Sequence, residues 1–164
     1  MEKLDIYDEN GEFIGTEERS IVHSKGLWHK TVHCWLYDKS GIVFFQKRTD
    51  RGSLYTTSSG HVSAGESITE AFQREIKEEI GLTLDASDAT FVAVVPFKMD
   101  RVKEDGSIFK DRAFANVYVD LYEGDYHDFK MDPEEVSGLV LVKAKDALEL
   151  FQKENGTIKG QEIT

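Results

Sequence analysis

Cysteine occurs once in the 164 residues, at Cys34. A single thiol excludes an intrachain disulfide and any paired-cysteine zinc site, which fits a reducing compartment; the cytoplasm is the expectation. Proline is almost absent, with two residues, and no internal repeat, low-complexity run or linker interrupts the chain. Residues 1–164 therefore read as one domain. Long apolar runs are missing as well: nothing approaches the roughly 20 residues of a membrane helix, and the opening "MEKLDIYDEN" lacks the apolar centre of a signal peptide. Neither membrane insertion nor export is expected. Positive charge is also short, 20 Lys and Arg against 31 Asp and Glu, for a formal charge of −11. Such a balance argues against a nucleic-acid polymer as partner, because nonspecific binding depends on Lys and Arg neutralising phosphate. It admits a small phosphorylated ligand bridged by a divalent cation.

Hydrophobic residues make up 40% of the chain and aromatics 11%, enough to bury a core without covalent staples. "LDIYDENGEFIG" alternates around Asn10-Gly11, which predicts a hairpin over about residues 4–15. "TVHCWLYDKSGIVFFQKR" reads as two more strands joined at Lys39 to Gly41, and the unbroken run "IVFF" predicts a strand covered on both faces. "TFVAVVPF" (90–97) and "AFANVYVDL" (113–121) read as long strands, with residues 98–112 as a loop or hairpin extension between them. "VSGLVLV" (136–142) predicts another strand and "AKDALELFQKE" (144–154) an amphipathic helix. With a helix over 68–80, these elements predict an α/β/α sandwich around a mixed sheet.

The 68–80 helix carries the chemistry. Ser67 and Glu70 form an S-x-x-E capping box and Gly81 a stop signal, so Ile68 to Ile80 should be helical. At about 100° per residue, Ile68, Ala71, Phe72, Ile76 and Ile80 form one apolar stripe. Glu75 and Glu79 flank Ile68 within that stripe and Glu78 lies just past Ala71, while Glu70, Gln73 and Lys77 take the far side. A Glu/Lys run is ordinarily a solvated helix face. Carboxylates at the edge of a core are a different matter. Burying one unpaired costs several kcal/mol, and three at i, i+3 and i+4 repel one another. A hard divalent cation, Mg²⁺ or Mn²⁺, relieves both problems and keeps coordination positions open for phosphate oxygens. Arg74 stands too far round the helix to substitute for it; its expected partner is Glu66, as a brace for the loop or as an ordinary surface pair.

"GHVSAGESITEAFQREIKEEIGL" (60–82) resembles the signature of the Nudix hydrolases: a glycine, five residues, Glu, seven residues, then Arg-Glu-apolar-x-Glu-Glu-x-Gly-apolar. Gly60, Glu66, Arg74, Glu75, Ile76, Glu78, Glu79, Gly81 and Leu82 fill every fixed position. The resemblance implies the Nudix fold and Mg²⁺- or Mn²⁺-dependent cleavage of a nucleoside diphosphate linked to another moiety. It assigns Glu75, Glu78 and Glu79 to the metal, Glu66 to it directly or through water, and the Gly60 carbonyl as a further ligand.

Ahead of the signature, "IVHSKGLWHKTVHCWLYDKSGIVFFQKRT" is similar to the branch that includes type 1 isopentenyl-diphosphate isomerases, which share the fold but move a double bond. His61, His29 and, with a shifted spacing, His23 resemble three of that branch's metal-binding histidines; the alternative is histidines that hydrogen-bond in the core or line the pocket. Ser59 stands where the isomerase has its cysteine acid/base, and "KDRAFANVY" has no Glu-x-Glu to supply its remaining ligands and second acid/base. A serine hydroxyl titrates far too high for that proton transfer. The chain accordingly reads as an isomerase-like hydrolase, with an isomerase and a catalytically silent nucleotide-binding module as the alternatives.

Hydrolysis at phosphorus asks for positioning, charge neutralisation and an activated water. Glu75 and Glu79 would hold the metal, and Glu78, or Glu79 in exchange, would accept the proton of the water. Val140 occupies a position that is often acidic in relatives, which leaves Glu134 and Glu135 as lesser candidates for the base. Lys47 and Arg48 end the "IVFFQ" strand and Arg51 follows; these three either grip the phosphates or form a solvated strand end. Trp28, Tyr55, Phe97 and Phe109 are either core aromatics or a stacking surface for a base. The substrate is a small-molecule diphosphate whose attached group the motif leaves open, and a homodimer is the base-rate assembly.

Overall fold

The computed structural model of the chain describes residues 1–153 and 160–164. Turn hydrogen bonds between Asp8 and Glu12 close the first hairpin, β1 (Lys3–Tyr7) and β2 (Phe13–Glu18). There follow α1 (Arg19–Lys25), β3 (His29–Tyr37), β4 (Ile42–Arg48), β5 (Leu54–Tyr55), β6 (Ser58–His61), α2 (Ile68–Ile80), β7 (Thr90–Val102), β8 (Ile108–Leu121), β9 (Val136–Lys143), α3 (Ala144–Phe151) and β10 (Gln161–Ile163). The short helix α1 and the strands β5, β6 and β10 have no counterpart in the sequence reading. Residues 98–112 prove to be the hairpin extension: β7 and β8 stay paired out to Val102 and Ile108. The last helix ends at Phe151, and Glu154, placed in it by the sequence pattern, lies outside the described residues.

Among the described residues, eight strands form one mixed sheet in the order β10-β9-β4-β3-β8-β7, with β5 attached to β4 and β6 to β3. β3 and β8 run parallel and the other pairs antiparallel. One detail of the pairing creates the site. β3 and β4 share only the Tyr37–Val43 pair next to their turn and then part, and β5 and β6 fill the opening between them.

The apolar run of β4 is shared between two layers, as its uninterrupted hydrophobicity predicts. Phe44 packs with Val32, Leu36, Phe72, Ile76 and Ile80 under α2, whereas Phe45 packs with Val142 and Ala147 on the α3 side. The result is the α/β/α sandwich. Each fully buried Phe or Ile contributes roughly 1.5–3 kcal/mol of burial, which fixes the face that α2 presents to the sheet. Both halves of its capping box form: Ser67 Oγ accepts from the Glu70 N–H at 3.2 Å, and Glu70 Oε2 accepts from the Ser67 N–H at 2.8 Å. At the other end Gly81 sits at φ +76°, where a side chain would strain the backbone and also strike Lys130. Two terminal carbonyls of α2 are then satisfied by the loop between β8 and β9, Ile80 by the Lys130 N–H and Glu79 by the Asp132 N–H.

Candidate functional site

The parting of β3 and β4 brings residues from two strands under α2. Gln46 of β4 and Ser58 of β6 both reach Glu79 of α2. Glu79 is only 2% exposed, and its Oε2 accepts from Gln46 Nε2 at 3.0 Å, Ser58 Oγ at 2.8 Å and the Ser59 N–H at 2.9 Å. Among the described residues no Lys, Arg or His lies within ion-pair distance of this carboxylate. Burial pushes it up to about 7, with the charge of Glu75 adding, even though the three hydrogen bonds pull the other way.

Glu75 lies one turn earlier against Gly60. A Cβ on Gly60 would overlap the Glu75 carboxylate, so the glycine serves close approach. Burial raises the Glu75 carboxyl, the charges of Glu78 and Glu135 reinforce the shift, and Arg74 opposes it. Arg74 is placed differently from its position on the helical wheel. Its long side chain folds back, gripping Glu66 through Nε–Oε1 at 2.7 Å and Nη2–Oε2 at 2.9 Å, and also meets Glu75 at 2.7 Å and Glu78 at 3.2 Å. Glu78, at i+4, is its neighbour on the wheel; four further bonds of side chain beyond Cβ let the guanidinium reach Glu75 and Glu66 as well. Arg74 Nη2 also donates to the His61 carbonyl at 2.9 Å, joining the helix to β6. Glu66 is buried enough to oppose ionisation, yet Arg74 and the Ser63 N–H hold its carboxyl below the usual range.

The three signature glutamates are therefore not equivalent. Glu79 is enclosed, Glu75 is nearly so, and the Glu78 side chain is 61% exposed at the rim. The loop that ends α2 also carries Glu134 and Glu135, and Thr49 at the end of β4 donates its N–H to the Glu135 carbonyl, which brings that loop beside the glutamates. The three cations proposed as grips already hold carboxylates: Lys47 Nζ bonds Glu162 at 2.9 Å, and Arg48 and Arg51 share Asp50 at 3.1 and 3.0 Å. Strand alternation turns Lys47 to the Phe45 side of β4, away from Gln46 and Glu79.

A second cluster adjoins the first through Gly60-His61. His23, His29 and His61 present ring nitrogens within 4.8 Å of one another. His23 Nδ1 lies 3.3 Å from the Lys110 carbonyl and His29 Nδ1 3.1 Å from that of Leu27, so these nitrogens carry hydrogens and each Nε2 presents a lone pair. His23 Nε2 then faces His61 Nε2 at 2.9 Å, and His29 Nε2 faces Asp111 Oδ1 at 3.4 Å. Burial favours the neutral rings, taking His23 down to about 4 and His61 well below its usual value. Asp111, on β8, was not found by the sequence reading. Its one signal is alternation: Ala113 pairs with His29 in the parallel register, so Asp111 two residues earlier shares that face.

The aromatics divide. Trp28 stacks on Phe114 at 4.6 Å and Phe109 on His23 at 4.2 Å. Tyr55 and Phe97 flank His33 at 5.7 and 6.5 Å.

A helix that turns glutamates onto a strand glycine, inside an α/β/α sandwich with a split strand pair, defines a Nudix-type fold and site. Comparison with known proteins agrees: the NUDIX domain matches residues 27–160, and the chain belongs to that family. An uncharacterized Nudix hydrolase of Clostridium acetobutylicum is 34% identical over 152 residues, 87% of this chain and 70% of the relative. An isopentenyl-diphosphate Delta-isomerase of Serratia proteamaculans is 30% identical over 131 residues, 75% of this chain and 68% of the relative. Among solved structures, a Deinococcus radiodurans protein aligns with a TM-score of 0.67 at 20% identity, over 96% of this chain and 93% of its own. The E. coli dihydroneopterin triphosphate pyrophosphohydrolase aligns with a TM-score of 0.57 at 17% identity, over 73% and 84%; both likenesses speak for the fold. The enzyme class is that of the Nudix pyrophosphohydrolases.

Proposed function

We propose that the protein hydrolyses a diphosphate bond in a nucleoside diphosphate or nucleoside diphosphate derivative, with Mg²⁺ or Mn²⁺ as cofactor. The observation that carries this reading is Glu79, a carboxylate 2% exposed, beside a second buried carboxylate, and served by neutral donors alone. A divalent cation held by Glu75, Glu78, Glu79 and Glu66, with the Gly60 carbonyl as a further ligand, removes the cost of that burial. The fit is supported by Gly60, where any side chain would displace Glu75. Bound there, the cation supplies charge neutralisation for the phosphates and a more acidic water.

The chain's own residues do the rest. Arg74 holds Glu66 in a two-pronged grip and keeps the loop 61–66 against α2. Glu79, pinned by three donors, suits a fixed ligand. Glu78 stands at the solvent rim and suits the acceptor of the proton from the attacking water. Arg48 and Arg51 can exchange Asp50 for phosphate, and Lys47 would have to leave Glu162. Bridges from Leu4 to Ser63 and from Tyr7 to Trp28 tie the first hairpin to the signature and to the start of β3, which supports one functional domain over 1–164.

The isomerase-like cluster suits a second, softer cation, because among the described residues His29 Nε2 and Asp111 Oδ1 are both buried without a hydrogen-bond partner. Hydrolysis is preferred to isomerisation because Ser59 offers an alcohol where the isomerase has a thiol, and its N–H is committed to Glu79.

The test is a panel of nucleoside di- and triphosphates, nucleoside-diphosphate sugars, dinucleotides and isopentenyl diphosphate, with Mg²⁺ or Mn²⁺. Release of phosphate, pyrophosphate or nucleoside monophosphate supports the reading. Double-bond migration without release would replace it with the isomerase, and binding without turnover across the panel with the silent module.

A further inference from the structure

Gln46 is out of place in its own strand. It follows Ile42-Val43-Phe44-Phe45, points to the α2 side, and is fully buried. An apolar side chain of that volume would add to the core at no polar cost. The amide instead spends one N–H on Glu79 Oε2 at 3.0 Å and points toward the Thr57 carbonyl at 3.5 Å, and its Oε1 is buried with no hydrogen-bond partner. Carrying an unsatisfied carbonyl in a core is a standing penalty. Such a penalty calls for a compensating role.

The geometry at Glu79 supplies one. All three donors, Gln46 Nε2, Ser58 Oγ and the Ser59 N–H, converge on the same oxygen, Oε2. Among the described residues no donor reaches Oε1. A carboxylate with one oxygen saturated from three directions can neither spin about its last torsion nor offer that oxygen to anything else. We propose that Gln46 and Ser58 are positioning residues: they clamp Glu79 through Oε2 so that it presents Oε1, alone and in one orientation, to a divalent cation. This rests on the function proposed above. The donors come from β4 and β6, the two strands that meet only because β3 and β4 part, so the clamp is a product of that split.

The test uses Mn²⁺ alone, titrated into the full-length protein and followed by the electron paramagnetic resonance of the free ion. Gln46→Met keeps the volume and removes the donor; Ser58→Ala removes a different donor on the same oxygen and perturbs packing less. Each folded variant should bind Mn²⁺ about 10- to 100-fold more weakly than wild type, the range for partners that orient a metal ligand. Ser58→Thr, which keeps a hydroxyl, should stay near wild type. A merely structural role predicts a lower melting temperature in EDTA with Mn²⁺ affinity intact. That result, within twofold of wild type for either folded variant, overturns the proposal; if Gln46→Met does not fold, Ser58→Ala decides. Glu79→Gln separates this claim from the one beneath it. With every titration run on a His29→Ala background, so that the histidine cluster holds no Mn²⁺, loss of binding in Glu79→Gln with retention in the clamp variants removes only the clamp, whereas retention in Glu79→Gln removes the glutamate metal site itself.

Discussion

Replacing Glu79 by Gln should make the metal-free protein more stable at pH 8 while disabling it as an enzyme. The Glu79 carboxyl is pushed from an ordinary 4.5 up to about 7 in the folded chain. Between those values the native state binds a proton that the unfolded state releases, so stability falls as pH rises through the window and reaches its low plateau above 7. A shift of that size corresponds to about 3 kcal/mol at full development. Glutamine carries no charge to bury and retains an oxygen for the three donors, but its new N–H group needs a partner, so the net gain is set at about 1–2 kcal/mol. For a chain of this length that is a rise in Tm of about 3–6 °C. The assay is thermal unfolding in EDTA from pH 4.5 to 8.5. Histidines 23 and 33, lowered to about 4 by burial, add the opposite trend, stability lost as pH falls below 6.5, but both proteins share it and it cancels in the difference. A difference curve that starts about 1–2 kcal/mol below zero at pH 4.5, where only the amide's unpartnered N–H counts, and rises by about 3 kcal/mol to its plateau above pH 7 is expected. A flat curve, or a variant no more stable than wild type at pH 8, refutes the argument that this carboxylate is held at a cost.

With Mg²⁺ and a turned-over substrate, Glu79→Gln should lose more than the roughly 100-fold that an outer partner of a metal ligand commands, measured as kcat with the fold checked by circular dichroism. Gly60→Ala should drive its methyl into the Glu75 carboxylate and destabilise by about 1–3 kcal/mol in a denaturant melt, with loss of activity; an active, wild-type-stable variant would mean that Glu75 does not need the contact. Arg74→Lys cannot make the two-pronged bond to Glu66, so it should lower stability by about 1 kcal/mol and turnover further, and full activity would show that the brace is dispensable. Protein loaded with Zn²⁺ or Mn²⁺ and then desalted should retain one equivalent through the histidine cluster by elemental analysis, and His29→Ala should lose it; equal retention would assign those histidines to packing.

Much of the site was legible because it is local. The capping box, the glycine stop and the spacing of Glu75, Glu78 and Glu79 are relations within a few residues of one helix, and helix geometry converts them into a face. The wheel fell short where reach exceeds phase: Arg74 meets Glu75, one residue on, by folding back, and Glu78 stands in solvent. The unpredicted α1 contains Val22 and His23, an apolar residue and a buried ligand candidate on a helix of about two turns, too brief for any periodicity to register. The strands β5 and β6 are only two and four residues long, and β6 opens on two serines and a glycine, so no hydrophobic alternation marked them.

The sequence by itself determined the family, the layered architecture and the set of acidic side chains, since each follows from contacts between near neighbours on the chain. Only the tertiary structure decided which of those acids is enclosed, that Gln46 and Ser58 serve it, and that Asp111 joins the three histidines. Those relations join residues 21 to 82 positions apart: Gln46 and Ser58 reach Glu79 because β3 and β4 separate and β5 and β6 enter the gap, and Asp111 meets His29 because β3 and β8 pair in parallel. Burial and pairing across such distances depend on where strands diverge, a property of the whole sheet that no short stretch encodes.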